Sequence, residues 1–148
     1  MHWDEESSVN RNVARVLEKE AEIYFESGQA AMVEGVSWRG LHDFRLHTKR
    51  FRYTLELFDD LYGPAYAARM EKIKVVQQLL GDINDCVATR SLLKKMPGAD
   101  PLRIKLQTKS QTLIRKLRLF WKKEFSTPGA HQGWIACVKR PRKAVAAK

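Results

Sequence analysis

The chain has 148 residues, 44% of them apolar and 30% charged, which fits one folded domain and argues against a disordered segment. It has no run of about 18 apolar residues, which excludes a membrane-spanning helix, and its acidic opening MHWDEESS lacks the apolar stretch of a secretion signal. The net charge of +10 is uneven: residues 1–85 hold 11 Lys and Arg against 15 Asp and Glu, residues 86–148 hold 16 against 2, and such a field attracts polyanions without specifying one.

In chain order, the first helix is expected over Val9 to Ala31 with Ser7 or Ser8 as its N-cap. Its apolar residues, among them Val13, Val16, Leu17, Ile23 and Tyr24, keep the helical period imperfectly. The segment EGVSWRG at 34–40 reads as a turn, with Ser37 placed to cap a second helix. That helix runs to about Leu61 and stops at Tyr62-Gly63-Pro64, where Gly63 suits a left-handed cap and Pro64 the first turn of a new helix. The third helix starts near Ala65, puts Tyr66, Met70, Ile73, Gln77 and Leu80 on one side, is interrupted at Gly81-Asp82, and resumes over Ile83 to Lys95. MPGADP at 96–101 breaks the chain before a last long helix, about Leu102 to Phe125. Beyond Thr127, two prolines, two glycines, Trp134 and the KRPRK run at 139–143 suggest a tail that is poorly ordered or held by Trp134 alone. The expected fold is all-α, an antiparallel bundle of about four helices with a basic groove. Residues 1–126 form its single domain, and residues 127–148 a basic C-terminal tail.

The second helix carries an unusual arrangement. At 100° per residue, Leu41, Phe44, Phe51, Leu55 and Phe58 share the core face, while Arg45, Lys49 and Arg52 occupy an adjoining arc of about 60°. Leu46, Tyr53 and Leu57 lie on the far side of the cations, so the basic row is flanked by apolar residues on both sides. Charges so placed lose hydration, and like charges one turn apart repel. Either Glu56 with Asp82 or Asp85 neutralises the row internally, or the row lines a groove for an external anion. The last helix repeats the pattern: Leu106, Leu113, Leu117 and Phe120 form a seam, and Lys105, Lys109, Lys116 and Lys123 run beside it. Two acids in the last 63 residues cannot neutralise that second row, which favours the external anion. Lysine offers a point charge and arginine a fork matched to phosphate oxygens, so phosphate chains and nucleic acid both qualify.

HDFRLHTKRFRY at 42–53, YG at 62–63 and QQLLGDINDCVATRSLL at 77–93 together resemble the CHAD family, the conserved-histidine α-helical domain. The resemblance covers about 41–93 and extends more loosely, through helical period and lysine pattern, to about 123. Carried over by position, it places the family histidine at His42, basic positions at Arg45, Lys49, Arg50 and Arg52, the aromatic at Tyr53 and the acid at Asp85. It implies a helical protein associated with inorganic polyphosphate along a basic surface, and with it a location near polyphosphate granules. Members commonly carry two such units. This chain carries one, resembling the second, so either a homodimer supplies the other wall of the channel or the chain offers half a groove with weaker avidity.

Catalytic groups are poorly provided, and no enzymatic role is expected. His42 and His47 diverge by about 140° around their helix and cannot share one ion, and no glycine-rich phosphate loop occurs. Asp59-Asp60 and Asp82/Asp85 are more ordinary as a helix-end surface and a cap than as a Mg²⁺ site, and no cofactor or metal is expected. Cys86, inside a helical pattern, reads as a small buried thiol, and without CxxC spacing or a disulfide framework the setting reads as reducing and cytoplasmic. His42 suits either a hydrogen bond to Asp85 or a backbone carbonyl, or contact with phosphate. The leading expectation is non-catalytic polyphosphate binding through His42, Arg45, Lys49, Arg50, Arg52, Tyr53 and the four lysines of the last helix. The alternatives are a helical nucleic-acid binder, which lacks aromatics alternating with its cations as a stacking platform would have, and a basic dock for an acidic protein.

Overall fold

The computed structural model describes residues 3–142. Five α-helices follow in order: α1 Val9–Ala31, α2 Trp38–Leu57, α3 Pro64–Leu93, α4 Asp100–Glu124 and α5 Ala130–Val138, with a 3-10 turn at Asp59–Leu61. Among the described residues there is no strand. The molecule is an all-α antiparallel bundle in which α2 and α3 pack together, α1 lies against α2, α4 against α3, and α5 against α1 and α3.

Local chemistry sets most boundaries. Ser8 caps α1 by accepting from the Arg11 N–H, and Ser37 caps α2 by accepting from the Gly40 N–H at 3.1 Å, each side-chain oxygen satisfying a donor that the first helical turn leaves free. Between them Gly35 takes φ 76°, a conformation that glycine adopts without steric cost. Asn12, fully buried, accepts from the Asp4 N–H and donates to the Asp4 carbonyl, which ties the N-terminal arm to α1.

Three expectations from sequence are corrected. Gly63 is extended, φ −107°, not left-handed. The chain leaves α2 through the 3-10 turn instead, with the Leu61 and Tyr62 N–H groups donating to Phe58 and Asp59, and Pro64 then opens α3. Second, α3 runs unbroken through Gly81-Asp82. A helix-interior glycine costs about 1 kcal/mol, but Val76, Leu80, Ile83 and Cys86 are buried on either side of it, and each large aliphatic side chain contributes about 1.5–3 kcal/mol on burial. Packing wins over propensity. Third, the segment after Thr127 contains α5, which is held by more than Trp134. Val138 is fully buried, the Tyr62 hydroxyl donates to its carbonyl at 2.7 Å, and Lys139 pairs with Glu18. Part of the expected tail, residues 143–148 with Lys143 of the basic run, lies outside the described residues.

The centre of the molecule is aromatic. Trp121 of α4 stacks on Phe125 at 4.4 Å between ring centroids and meets Tyr24 and Phe44 edge-on. Trp134 of α5 packs against Phe51 and Phe125. Thr48 is the one buried polar residue of α2; its Oγ1 lies 2.9 Å from the Phe44 carbonyl and 3.2 Å from the Tyr24 hydroxyl. A threonine has a single proton, and with that proton given to Phe44 the tyrosine donates to Thr48. Burial raises the Tyr24 pKa well above its ordinary value, so the phenol stays protonated and able to donate.

The Trp121 ring lies directly on the backbone of Gly28: a Cβ there would sit 2.0 Å from the indole. Gly28→Ala is therefore expected to destabilise the fold by about 1–3 kcal/mol in urea denaturation, overpacking outweighing the alanine's helix propensity of about 1 kcal/mol. An unchanged midpoint would mean that Trp121 sits elsewhere.

Candidate polyanion-binding cleft

On α2 each residue of the basic row follows a buried or core-facing residue by one position: Phe44-Arg45, Thr48-Lys49, Phe51-Arg52. A 100° step from the core face leaves the cations half-buried at the seam with α3. There Arg45, Lys49, Arg52 and Tyr53 line a cleft of about 590 Å³ whose other wall is the polar face of α3: Lys74, Gln77, Gln78, Gly81, Asp82 and Asp85.

The cations in it are held differently. Arg52 is fixed, donating to Glu56 and to Gln77, both at 2.9 Å, with its guanidinium 5.6 Å from the Tyr53 ring centre. Lys74 pairs with Glu71 at 3.0 Å, and Asp82 accepts from Gln78 at 3.0 Å. Arg45 and Lys49 make no side-chain hydrogen bond or ion pair among the described residues, and neither Asp82 nor Asp85 comes within ion-pair distance of them. Internal neutralisation thus reaches Arg52, through Glu56, and stops there. Gly81 leaves the cleft wall bare, since nothing lies within 4 Å of where its Cβ would be.

The other residues singled out from sequence are placed elsewhere. Arg50, expected among the binding residues, turns toward α1 and pairs with Glu20 at 3.2 Å. His42 packs against Trp38 with ring centroids 5.9 Å apart, makes no hydrogen bond to Asp85, and does not line the cleft. Lys105, Lys109, Lys116 and Lys123 are exposed on α4 and do not line it either. The reason is a rotation of α4: its buried residues are Ser110, Leu117 and Trp121, roughly 50° from the leucine seam expected, and Leu102 is 47% exposed. Seating the large Trp121 indole turns the lysines out to solvent. Lys74, Gln78 and Gly81 were missed by the reading from sequence, although with Gln77 and Asp85 they recur every three to four residues as one polar stripe on α3.

Among the described residues no group of three or more His, Cys, Asp or Glu is arranged to hold a metal, and no helix is long and apolar enough to cross a membrane. The family model described as CHAD domain matches residues 6–94, more than half of the chain, from just before α1 to the end of α3 without reaching α4. No curated protein and no solved structure matches the chain.

The free state of Arg45 and Lys49 has a thermodynamic consequence. These half-buried cations one turn apart repel each other, so Arg45→Ala/Lys49→Ala should leave stability unchanged or raise it by about 0.2–0.5 kcal/mol. Chemical denaturation measures this directly. A loss of more than about 1 kcal/mol would put both side chains in internal ion pairs and remove the case for an anion-binding row.

Proposed function

The chain belongs to the CHAD domain family, and on that premise we propose that the α2–α3 cleft binds inorganic polyphosphate without transforming it. The observation carrying this reading is the pair of unpartnered, half-buried cations, Arg45 and Lys49, in a cleft where Arg52 is already oriented. A phosphate chain offers a charge at every unit and so meets successive cations one helical turn apart, about 5.4 Å. The Arg52 guanidinium, held by Glu56 and Gln77, presents its remaining N–H groups without paying for orientation. Lys74 adds a charge from α3, Tyr53 supplies a wall, and His42, one turn before Arg45 and likewise following a buried residue, extends the row. Arg50 stays with Glu20. The lysines at 105, 109, 116 and 123 contribute a field that speeds the anion's approach, screened beyond about 8 Å at physiological salt.

A second copy of the chain completes the channel in this reading. Supporting it, the tip of the α3–α4 hairpin exposes the apolar side chains of Leu92, Met96, Leu102 and Ile104, of which Leu92 is 78% accessible, surface that a partner copy would cover.

Long-chain polyphosphate is expected to bind at about 0.15 M salt, with affinity falling log-linearly as salt rises. Arg45→Ala/Lys49→Ala/Arg52→Ala should weaken it by at least about 100-fold, at roughly 1 kcal/mol or more per charge-assisted contact, with helix content intact by circular dichroism. Single-stranded and duplex DNA should displace it poorly. Equal competition by DNA would favour a nucleic-acid binder. Absence of binding to either polyanion would return the basic face to docking an acidic protein.

A further inference from the structure

A second cleft, of about 450 Å³, opens beside the first turn of α3, where α5 ends and the chain beyond it crosses back. Its composition differs from that of the first. Three arginines, Arg69, Arg140 and Arg142, line it with no carboxylate among them, and most of the remaining wall is apolar. Tyr62 and Tyr66 stack with centroids 4.2 Å apart and planes 9° from parallel. Both hydroxyls are already committed, Tyr62 to the Val138 carbonyl and Tyr66 to the Leu55 carbonyl, and Tyr66 is only 2% exposed, so the carbon surface offered to the cleft is chiefly that of the half-buried Tyr62 ring. The Asp59 carboxylate acts on Tyr66 but does not line the space.

The arginines are placed by the fold. Arg69 comes from the second turn of α3, donates to the Ala65 carbonyl, and faces the Cys137 thiol. Arg142 is anchored through its backbone N–H to the Leu61 carbonyl at 2.7 Å, and its guanidinium rests on Gly63, where a Cβ would lie 2.2 Å from Nη1. This contact accounts for a glycine at a position whose backbone angle does not require one. The Arg140 and Arg142 side chains make no hydrogen bond or ion pair among the described residues. Three guanidiniums with free N–H donors beside a mostly apolar wall are a complementary arrangement for a ligand with an anionic end and an apolar body.

We propose that this cleft is a second anion site, distinct from the α2–α3 cleft, that takes a nucleotide-sized organic phosphate: the phosphates on Arg69, Arg140 and Arg142, the organic body on the tyrosine-lined wall. A bare phosphate chain has nothing to place on that wall, which separates the two clefts by ligand chemistry. Cys137 lines the cleft and is half-exposed, whereas Cys86 is 5% exposed in the core, so one thiol reports on occupancy and the other serves as an internal reference.

The test uses the full chain with ATP, inorganic triphosphate and adenosine as probes, read by titration calorimetry and by the rate of Cys137 alkylation with iodoacetamide. Saturating ATP is expected to slow alkylation of Cys137 by at least about tenfold and to leave Cys86 unchanged. Arg140→Ala/Arg142→Ala, both exposed positions, should weaken ATP by at least about tenfold, as expected for two lost charge-assisted contacts, while Arg45→Ala/Lys49→Ala/Arg52→Ala should retain it. No saturable ATP binding, binding without protection of Cys137, loss of binding only in the α2 variant, or triphosphate binding as tightly as ATP would each overturn the proposal.

Discussion

The placement of Trp121 against the bare backbone of Gly28 is the contact on which the rest of the arrangement depends. Around that indole gather Tyr24 and Phe25 of α1, Phe44 of α2, and Phe125 at the end of α4, and through Phe125 and Phe51 the cluster reaches Trp134 of α5. Trp121 Nε1 has no hydrogen-bond partner among the described residues, a cost of about 1–3 kcal/mol. The burial of so much ring surface, about 150–250 Å² for each aromatic, outweighs it. Because Phe44 and Phe51 must reach this cluster, the rotation of α2 about its own axis is fixed. His42, Arg45, Lys49, Arg52 and Glu56 each follow a buried residue by one position and are therefore held at its flank. The cations cannot swing fully into water unless the core comes out with them.

That coupling gives the two basic helices different meanings. The row on α2 is half-buried, carried by a helix whose rotation the core sets, and only its last member is neutralised, by Glu56. The lysines of α4 stand in solvent, with their long side chains free to move, and each would lose rotamer freedom on meeting a ligand. The three cations of the α2 row and the four lysines of α4 are therefore not equivalent binding sites. The helix with the larger local excess of positive charge supplies the weaker geometry, and the preorganised contacts belong to the half of the chain whose overall charge is negative.

Much of this was legible in the sequence wherever the determining interaction was local. The span of α1, the start of α2 and their serine caps follow from period and cap chemistry, though α2 ends at Leu57 and not near Leu61, and the core face of α2, Leu41, Phe44, Phe51 and Leu55, came directly from the 100° step. Arg50, expected among the anion-binding residues, instead pairs with Glu20, thirty residues away, a partner that the helical period does not report. What escaped were features decided by contacts distant in sequence. The continuity of α3 through Gly81 is settled by Leu80 and Ile83 packing on both sides, against a local preference for a break. The rotation of α4 is set by where one indole fits among α1 and α2, which leucine spacing alone does not report. The nine-residue helix α5, bounded by Gly129 at φ 86°, is too short to be stable by itself and exists because Trp134 and Val138, one turn apart, both reach the core.

The carboxylates of the first cleft bear on what can lie in it. Asp82 and Asp85 are on the α3 wall, opposite Arg45 and Lys49 on α2, so the space is positive along one side and negative along part of the other. A chain one phosphate wide can follow α2 and keep its oxygens on the cations, with Gly81 leaving clearance where a side chain would narrow the passage. A duplex presents two backbones on a wide cylinder and meets the α3 carboxylates whichever backbone engages α2, so repulsion offsets part of what the cations contribute. In the reading proposed for this cleft, the acids that fail to neutralise Arg45 and Lys49 act as discriminators, favouring a thin flexible polyanion over a broad rigid one without touching either.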